Sequence, residues 1–108
     1  MKQPWPPPIA TEQIRAMAQS EDLDIAWVKH ALERLEERGL IAGDVHYVLR
    51  HGFVYEVPQA GKVEGYFKYR MEAQTPNSGG RAVGVVVIPD KDGNCSLKIV
   101  TVMWVDES

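Results

Sequence analysis

The stretch AVGVVVI, residues 82–88, decides the fold, because its residues are apolar at successive positions. A strand with one face in solvent alternates apolar and polar residues, whereas a run that is apolar on both faces suits a central strand of a sheet. An Asp92-Gly93 turn follows, and then a second apolar run, LKIVTVMWV, at residues 97–105. This order of run, turn and run is typical of a β-hairpin. We therefore expect residues 82–88 to form the central strand and residues 96–105 to pair beside it.

Two further strands are predicted before the hairpin. Between residues 67 and 72, three apolar side chains alternate with Lys68, Arg70 and Glu72, and residues 53–57 show a similar alternation. Alternation of this kind indicates a strand with one buried face. The polar residues between 67 and 72 are therefore expected on a face of the sheet that is at least partly open.

Helical spacing of apolar residues predicts three helices that precede the strands. The first runs from Ile9 to Gln19. The second runs from about 25 to 38, with Asp24 as its cap and Gly39 at its end. The third runs from Asp44 to Gly52 and buries Val45, Val48 and Leu49. The stripe expected to be buried in the second helix consists of Ile25, Val28, Leu32 and Leu35.

The predicted fold class is α+β, with N-terminal helices packed on a four-stranded antiparallel sheet. We divide the chain into a proline-rich N-terminal arm, residues 1–8, and a single α+β domain, residues 9–108. The arm contains PWPPP, which favours polyproline II. It is either a ligand for an aromatic-lined groove or a leader that sets the start of the first helix, with Trp5 docked on the body.

Composition limits the compartment and the partners. The 108 residues suit one domain, and 12 basic against 15 acidic residues give a net charge of -3, which argues against non-specific nucleic-acid binding. A local basic cleft remains open, because Lys68, Arg70 and Arg81 lie in a less acidic region. The single cysteine, Cys95, rules out an internal disulfide and fits a reducing compartment. With no signal peptide and no membrane span in the sequence, the expected location is the cytoplasm.

The run HALERLEERG, residues 30–39, places His30, Arg34 and Arg38 at four-residue intervals on one helix. One interpretation is a solvated face laced with salt bridges. The other is acid-base chemistry, since a histidine with arginines that neutralise phosphate is what cleavage of RNA through its 2′-hydroxyl requires. No metal or other cofactor is expected, because His46 and His51 are five residues apart and do not share a helical face.

The segments HALER (30–34) and ERG (37–39), Arg81 before an apolar strand, and IVTV (99–102) resemble the bacterial family of domain of unknown function 4258. The resemblance covers about residues 25–105. It implies a RelE-type toxin fold, in which helices precede an antiparallel sheet, within a group that includes ribonucleases. It also implies His30, Arg34, Arg38 and Arg81 as catalytic candidates, with His30 moving a proton and the arginines binding phosphate. Lys68 and Arg70 are the substrate-binding candidates.

Two functions follow from these observations. The first is a RelE-type toxin-like ribonuclease that cleaves RNA by metal-independent acid-base chemistry. The second is a non-catalytic protein-interaction module, whose partner is a cognate antitoxin-like protein or a second copy of the chain. For the second function, Val102 and Trp104 are expected to share an exposed apolar face of the last strand.

Overall fold

The computed structural model of this chain describes residues 2–107. Within that range, three helices and a six-stranded sheet form a mixed α+β fold. The helices are α1 (Pro7–Gln19), α2 (Lys29–Glu37) and α3 (Ala42–His51). The strands are β1 (Asp24–Trp27), β2 (Phe53–Val54), β3 (Gln59–Ala60), β4 (Phe67–Gln74), β5 (Ala82–Pro89) and β6 (Ser96–Trp104). Met1 and Ser108, which fall in the predicted arm and domain, lie outside the described residues.

The sheet has the order β1-β6-β5-β4-β2, and β3 also pairs with β4. β5 is central, as the sequence predicted, and pairs antiparallel with β4 and β6. Val85, for example, lies between Met71 on one side and Val102 on the other. The expected four-stranded, fully antiparallel sheet is corrected in two respects. The sheet has six strands, and its edge strand β1 runs parallel to β6.

The predicted helix over 25–38 is wrong in its first part, because Asp24–Trp27 forms β1. Ile25 pairs with Leu97 and Trp27 with Ile99 along the neighbouring strand. A β-branched and an aromatic residue at alternate positions suit a half-buried strand, and pairing with β6 satisfies the backbone there. Asp24 is therefore not a helix cap. Its N–H donates to the carbonyl of Cys95 at 2.9 Å.

The later start of α2 changes which of its residues are buried. The N-cap of α2 is Val28, and the buried side chains of this helix are Ala31 and Leu35. Those three positions are three and four residues apart, which is one face of a helix. Leu32 lies off this face and is 53% exposed, so the prediction that it is a core residue is wrong.

The core lies between the sheet and the helices. α1 and α3 pack against each other, and α3 also packs on β4 and β5. Val45, Val48 and Leu49 of α3 are fully buried, as predicted, and so are the alternate residues of β5 that face them. Those residues of β5 are Val83, Val85 and Val87.

The N-terminal segment packs against this core. Trp5 is buried, and its ring lies 5.4 Å from the ring of Tyr69, centroid to centroid. The backbone N–H of Trp5 donates to the hydroxyl of Tyr69 at 2.9 Å, and that hydroxyl donates to Oε1 of Gln3 at 3.0 Å. α1 then begins at Pro7, where a proline is well tolerated because the first helical N–H needs no partner within the helix.

The apolar surface predicted from Val102 and Trp104 is absent from the described structure. Val102 is fully buried, since it is paired with Val85 on the face that the helices cover. Trp104 is partly buried, and the guanidinium of Arg81 lies 4.1 Å from its ring centroid. The register of β6 shifts where Val86 pairs with Thr101 and Val87 with Ile99, so Val102 and Trp104 fall on the same face as the buried Leu97 and Ile99, which is the face that the helices cover.

Candidate functional site

The face of the sheet opposite α1 and α3 is called the open face here. Side chains alternate along β4, so Lys68, Arg70 and Glu72 point away from the buried Tyr69 and Met71. On β5 the open face carries Gly84, where a Cβ would lie 3.1 Å from Met103 and 3.5 Å from Cδ of Arg70. The open face therefore carries the predicted polar row of β4.

The predicted catalytic arginines do not lie on the open face. Their guanidinium groups lie near the end of β6, where each pairs with a carboxylate. Arg38 donates two hydrogen bonds to Glu107, from Nε to Oε1 at 2.7 Å and from Nη2 to Oε2 at 2.6 Å. Arg34 pairs with Glu37, which also lies 3.4 Å from Nη1 of Arg38. The hydrogen bonds from Arg38, followed by one from the N–H of Trp104, lower the pKa of Glu107 to about 2. The charges of Arg34 and Arg38 are thus compensated locally.

Arg81 joins this cluster from the start of β5. Its guanidinium binds Asp106 through Nε at 3.2 Å and Nη2 at 2.7 Å. The hydrogen bond from Arg81 is the main reason that the pKa of Asp106 is lowered. Because Asp106 and Glu107 are neighbours in sequence, Arg81 and Arg38 converge on one short segment that follows β6. The structure therefore brings three of the four predicted catalytic side chains together.

His30 is not joined to that cluster by any hydrogen bond among residues 2–107. It is exposed in the first turn of α2, one turn before Arg34. Helical geometry puts His30 and Arg34 on the same side of α2, as the sequence predicted. The arginines, however, form ion pairs with carboxylates, whereas His30 forms no ion pair in the described part of the chain.

Lys68 and Arg70 lie on the open face, away from the arginine cluster. Arg70 bridges two carboxylates, Glu56 through Nη2 and Glu72 through Nε at 3.0 Å. Lys68 has no carboxylate within 4.0 Å among residues 2–107. The positive charge of Arg70 is therefore compensated by carboxylates, whereas that of Lys68 is not.

Lys68 borders a groove of about 570 Å³ that we call the lysine groove. Its floor is largely apolar, and it is bordered by Lys62, Lys68, Lys98 and Tyr66, with Val28, Val63, Ile88 and Val100 among its apolar residues. Within the described residues, Lys62 and Lys98 also lack an ion pair. A fourth ammonium group, that of Lys91, lies 5.8 Å from the ring centroid of Tyr66.

One carboxylate lies in the lysine groove, and it is engaged in the neighbouring turn. Oδ2 of Asp90 accepts hydrogen bonds from the N–H groups of Asp92 and Asn94, both at 3.1 Å. Its Oδ1 lies 3.5 Å from the hydroxyl of Tyr66. Asp90 therefore shapes the β5–β6 turn, and the lysines at the groove are left without a carboxylate of their own.

Two further grooves of smaller volume lie along the sheet beyond the lysine groove. The middle groove, of about 280 Å³, shares Lys68 and Val100 with it and also contains Arg70. The third, of about 540 Å³, we call the aromatic groove. It is lined by His51, Phe53, Tyr55, Glu72, Ala73, Gln74 and Ala82. The row predicted from alternation in β4 connects all three grooves, with Lys68 in the first two, Arg70 in the second and Glu72 in the third.

Sequence reasoning missed several of these side chains. Lys62 lies in a loop with no recognisable motif, and Lys98 follows a buried residue of β6. A signal for Lys98 was present, since it is the polar residue between Leu97 and Ile99 in an alternating strand. Asp106 and Glu107 belong to an acidic C-terminal stretch of the sequence. Their arginine partners are 25 and 69 residues away, so no local pattern indicated the ion pairs.

The structure offers no arrangement for a metal ion among residues 2–107, where no three His, Cys, Asp or Glu side chains are grouped suitably. Cys95 is partly buried, with its sulfur 3.5 Å from the carbonyl of Met17. No helix in the same range is long and apolar enough to cross a membrane.

No curated protein and no solved structure matches this chain, so its likeness to the RelE-type toxin fold stays a prediction. A family model does match, over residues 27–104, which extend from the last residue of β1 to the last residue of β6. This range agrees with the resemblance seen in the sequence, and it excludes the N-terminal segment and α1. The chain therefore belongs to the family described as Domain of unknown function (DUF4258).

Proposed function

We propose that this protein binds RNA across the open face of its sheet. The observation that carries the proposal is the convergence of Lys62, Lys68 and Lys98 on one groove, where none of them forms an ion pair with a carboxylate of residues 2–107. Six ion pairs occupy arginines elsewhere in residues 2–107, so these ammonium groups are the uncompensated charges that meet at a cavity. Phosphates of a nucleic-acid backbone are the natural partners of such groups.

The other walls of the lysine groove suit the bases of a single strand. Tyr66 offers an aromatic ring, and the aliphatic floor offers apolar contact for a base that has left its helix. The net charge of -3 does not oppose this, because the lysine groove carries three ammonium groups against the one carboxylate of Asp90, and a locally positive cleft attracts an anionic ligand through its own field.

Salt dependence tests this proposal. For a single strand, the logarithm of the binding constant falls by about 0.7 per phosphate contact for each decade of salt. Three lysine contacts then weaken binding about 20-fold between roughly 50 and 200 mM salt. We would measure this by fluorescence anisotropy with a labelled single-stranded RNA.

A combined variant, Lys62→Gln, Lys68→Gln and Lys98→Gln, is expected to remove most of the binding and most of the salt dependence. The control is Lys2→Gln with Lys29→Gln, which removes two exposed lysines that line none of the three grooves. If both variants lose RNA affinity equally, or if the affinity of the wild type does not change with salt, the lysine groove is rejected as the RNA site.

RNA cleavage by His30 with Arg34, Arg38 and Arg81 remains a proposal of its own. It requires the arginines to exchange Asp106 and Glu107 for phosphate, so a bound phosphate has to replace the two hydrogen bonds that each of Arg38 and Arg81 now donates to a carboxylate. Loss of RNA binding in Arg38→Gln and Arg81→Gln, with the lysine variant unaffected, would move the site to that cluster.

One observation favours the second function, an interaction module. Phe53, Tyr55 and Val57 are 49%, 64% and 75% exposed on the edge of the sheet that ends with β2 and β3. Three large exposed side chains at alternate positions are a surface that a second protein copy can cover. Sedimentation velocity checks this, since a dimer that dissociates in Tyr55→Ser would support self-association and a concentration-independent monomer would exclude it.

A further inference from the structure

We infer that the aromatic groove is the place where bound RNA is cleaved, with His51 and Glu72 as its acid-base pair. The inference rests on the proposed RNA binding and adds a reaction and a site to it. It also assigns the proton transfers to a different histidine from the one that the sequence indicated.

A tightly built corner places the end of α3, where His51 lies, against the strand that carries Glu72. α3 ends at His51, and the next residue, Gly52, packs directly against the backbone of Glu72. A Cβ on Gly52 would lie 2.6 Å from the carbonyl oxygen of Val48 and 2.8 Å from that of Glu72, so no larger residue fits there. Phe53, the following residue, is the strand partner of Glu72. The end of α3 is thereby held against the strand that carries the carboxylate.

Two further contacts hold this corner in place. Arg15 of α1 donates from Nη2 to the carbonyl of His51 and from Nε to that of Gly52, both at 2.8 Å. The ring of Tyr47 lies 4.6 Å from the imidazole of His51, centroid to centroid. The imidazole remains exposed at the groove while its backbone is fixed from α1. A positioned but accessible group of this kind suits proton transfer.

Glu72 is suited to the complementary role. Its side chain is only 12% exposed, and its Oε2 accepts a hydrogen bond from Nε of Arg70 at 3.0 Å. Among residues 2–107, its Oε1 accepts no hydrogen bond and is not a buried unpaired atom, so it is available to a ligand in the groove. The hydrogen bond from Arg70 thereby orients the Glu72 carboxylate at the groove.

These groups match the proton transfers of RNA strand cleavage. Glu72 takes the proton of the 2′-hydroxyl as the bond from O2′ to phosphorus forms. His51, in its protonated form, gives a proton to O5′ as the bond from phosphorus to O5′ breaks. The products are a 2′,3′-cyclic phosphate and a 5′-hydroxyl, and no oxidant, metal or further reactant is needed.

The surroundings of the pair are suited to hold the strand. Phe53 and Tyr55 are exposed, and their ring centroids are 6.1 Å apart, so they offer neighbouring platforms for bases. The row of Lys68, Arg70 and Glu72 on β4 leads from the lysine groove to the aromatic groove. His30 and His46 line none of the three grooves, which leaves His51 as the histidine on this path.

The experiment follows cleavage of a labelled single-stranded RNA by the full chain and identifies the ends of the products. His51→Ala and Glu72→Gln are expected to slow cleavage by about 10² to 10⁴-fold, the usual contribution of one acid or base. Salt-sensitive RNA binding is expected to persist in both. His46→Ala, which removes a histidine from the same helix, is the control and is expected to cleave as the wild type does. Circular dichroism confirms that each variant is folded.

A second substrate, with sulfur in place of O5′ at one position, separates the two roles. A thiolate leaves without protonation, so His51→Ala is expected to recover to within about tenfold of the wild type on it, while Glu72→Gln stays slow. Added imidazole is also expected to restore part of the activity of His51→Ala on ordinary RNA.

The outcomes distinguish this inference from the proposed function. Salt-sensitive binding without cleavage by the wild type overturns the inference and leaves the RNA-binding proposal intact. Loss of cleavage in His30→Ala, with His51→Ala unaffected, also overturns it and returns the chemistry to α2. Absence of both binding and cleavage rejects both proposals and favours a protein partner for the exposed aromatic edge.

Discussion

Replacing Leu35 and Leu32 of α2 by alanine, one at a time, tests where this helix faces the core. Both leucines lie in the middle of the same short helix, so helix propensity changes equally in the two variants. Leu35 is 8% exposed and belongs to the core cluster, whereas Leu32 is 53% exposed. The two variants therefore differ mainly in burial.

The expected magnitudes follow from that difference. A buried methylene contributes about 0.8 kcal/mol, and the cavity left by a buried leucine adds to the loss, so Leu35→Ala is expected to cost about 2 to 5 kcal/mol. Leu32 is about half exposed, so its removal from water contributes about half as much free energy as that of a buried leucine, and solvent fills the space that the side chain leaves. Leu32→Ala is therefore expected to cost about 1 kcal/mol or less.

Urea denaturation followed by circular dichroism measures both. With a slope of about 1 to 3 kcal/mol per molar urea, a difference of about 2 kcal/mol separates the two midpoints by about 0.7 to 2 M. If Leu32→Ala proves as destabilising as Leu35→Ala, then Leu32 is a core residue and the placement of α2 described above is refuted.

Two more predictions concern polar contacts. Tyr69→Phe removes the hydroxyl that accepts a hydrogen bond from the N–H of Trp5 and donates one to Gln3, and the loss of these two buried hydrogen bonds is expected to cost about 1 to 3 kcal/mol in urea denaturation; an unchanged midpoint would contradict this. For Glu107, Arg38 lowers the pKa to about 2 from 4.5, so its contribution to stability is present above pH 4.5 and is lost as pH falls toward 2. The Tm of the wild type is therefore expected to fall more steeply in that interval than that of Glu107→Gln, and NMR titration of the Glu107 carboxyl checks the cause.

Local patterns in the sequence were sufficient for the centre of the fold. The apolar run at 82–88, the turn that follows it and the alternation at 67–72 each depend on residues that are close in the chain. Strand β5, the hairpin with β6 and the apolar face of α3 were accordingly predicted at the right places. The helical spacing of Ile25 and Val28 misled, because Ile25 also shares a strand-like alternation with Trp27, and periodicity over four residues cannot separate a helix from a strand.

Only the tertiary structure decided between those readings. β1 is a strand because its backbone pairs with residues 96–99, about seventy positions further along the chain, and no local pattern reports such a partner. Leu32 is exposed for the same reason, since the pairing of β1 delays the start of α2 and turns its buried face to Ala31 and Leu35.

The candidate site divides in the same way. The sequence by itself determined which side chains share a short element, such as His30 with Arg34 on a helix, or Lys68 with Arg70 on a strand. It did not determine that Asp106 and Glu107 compensate the arginines, nor that Lys62 and Lys98 meet Lys68 from separate loops and strands. Ion pairs and the grouping of lysines at one groove require side chains from distant parts of the chain to lie within a few ångströms of one another. These contacts therefore exist only once the sheet has brought those segments together.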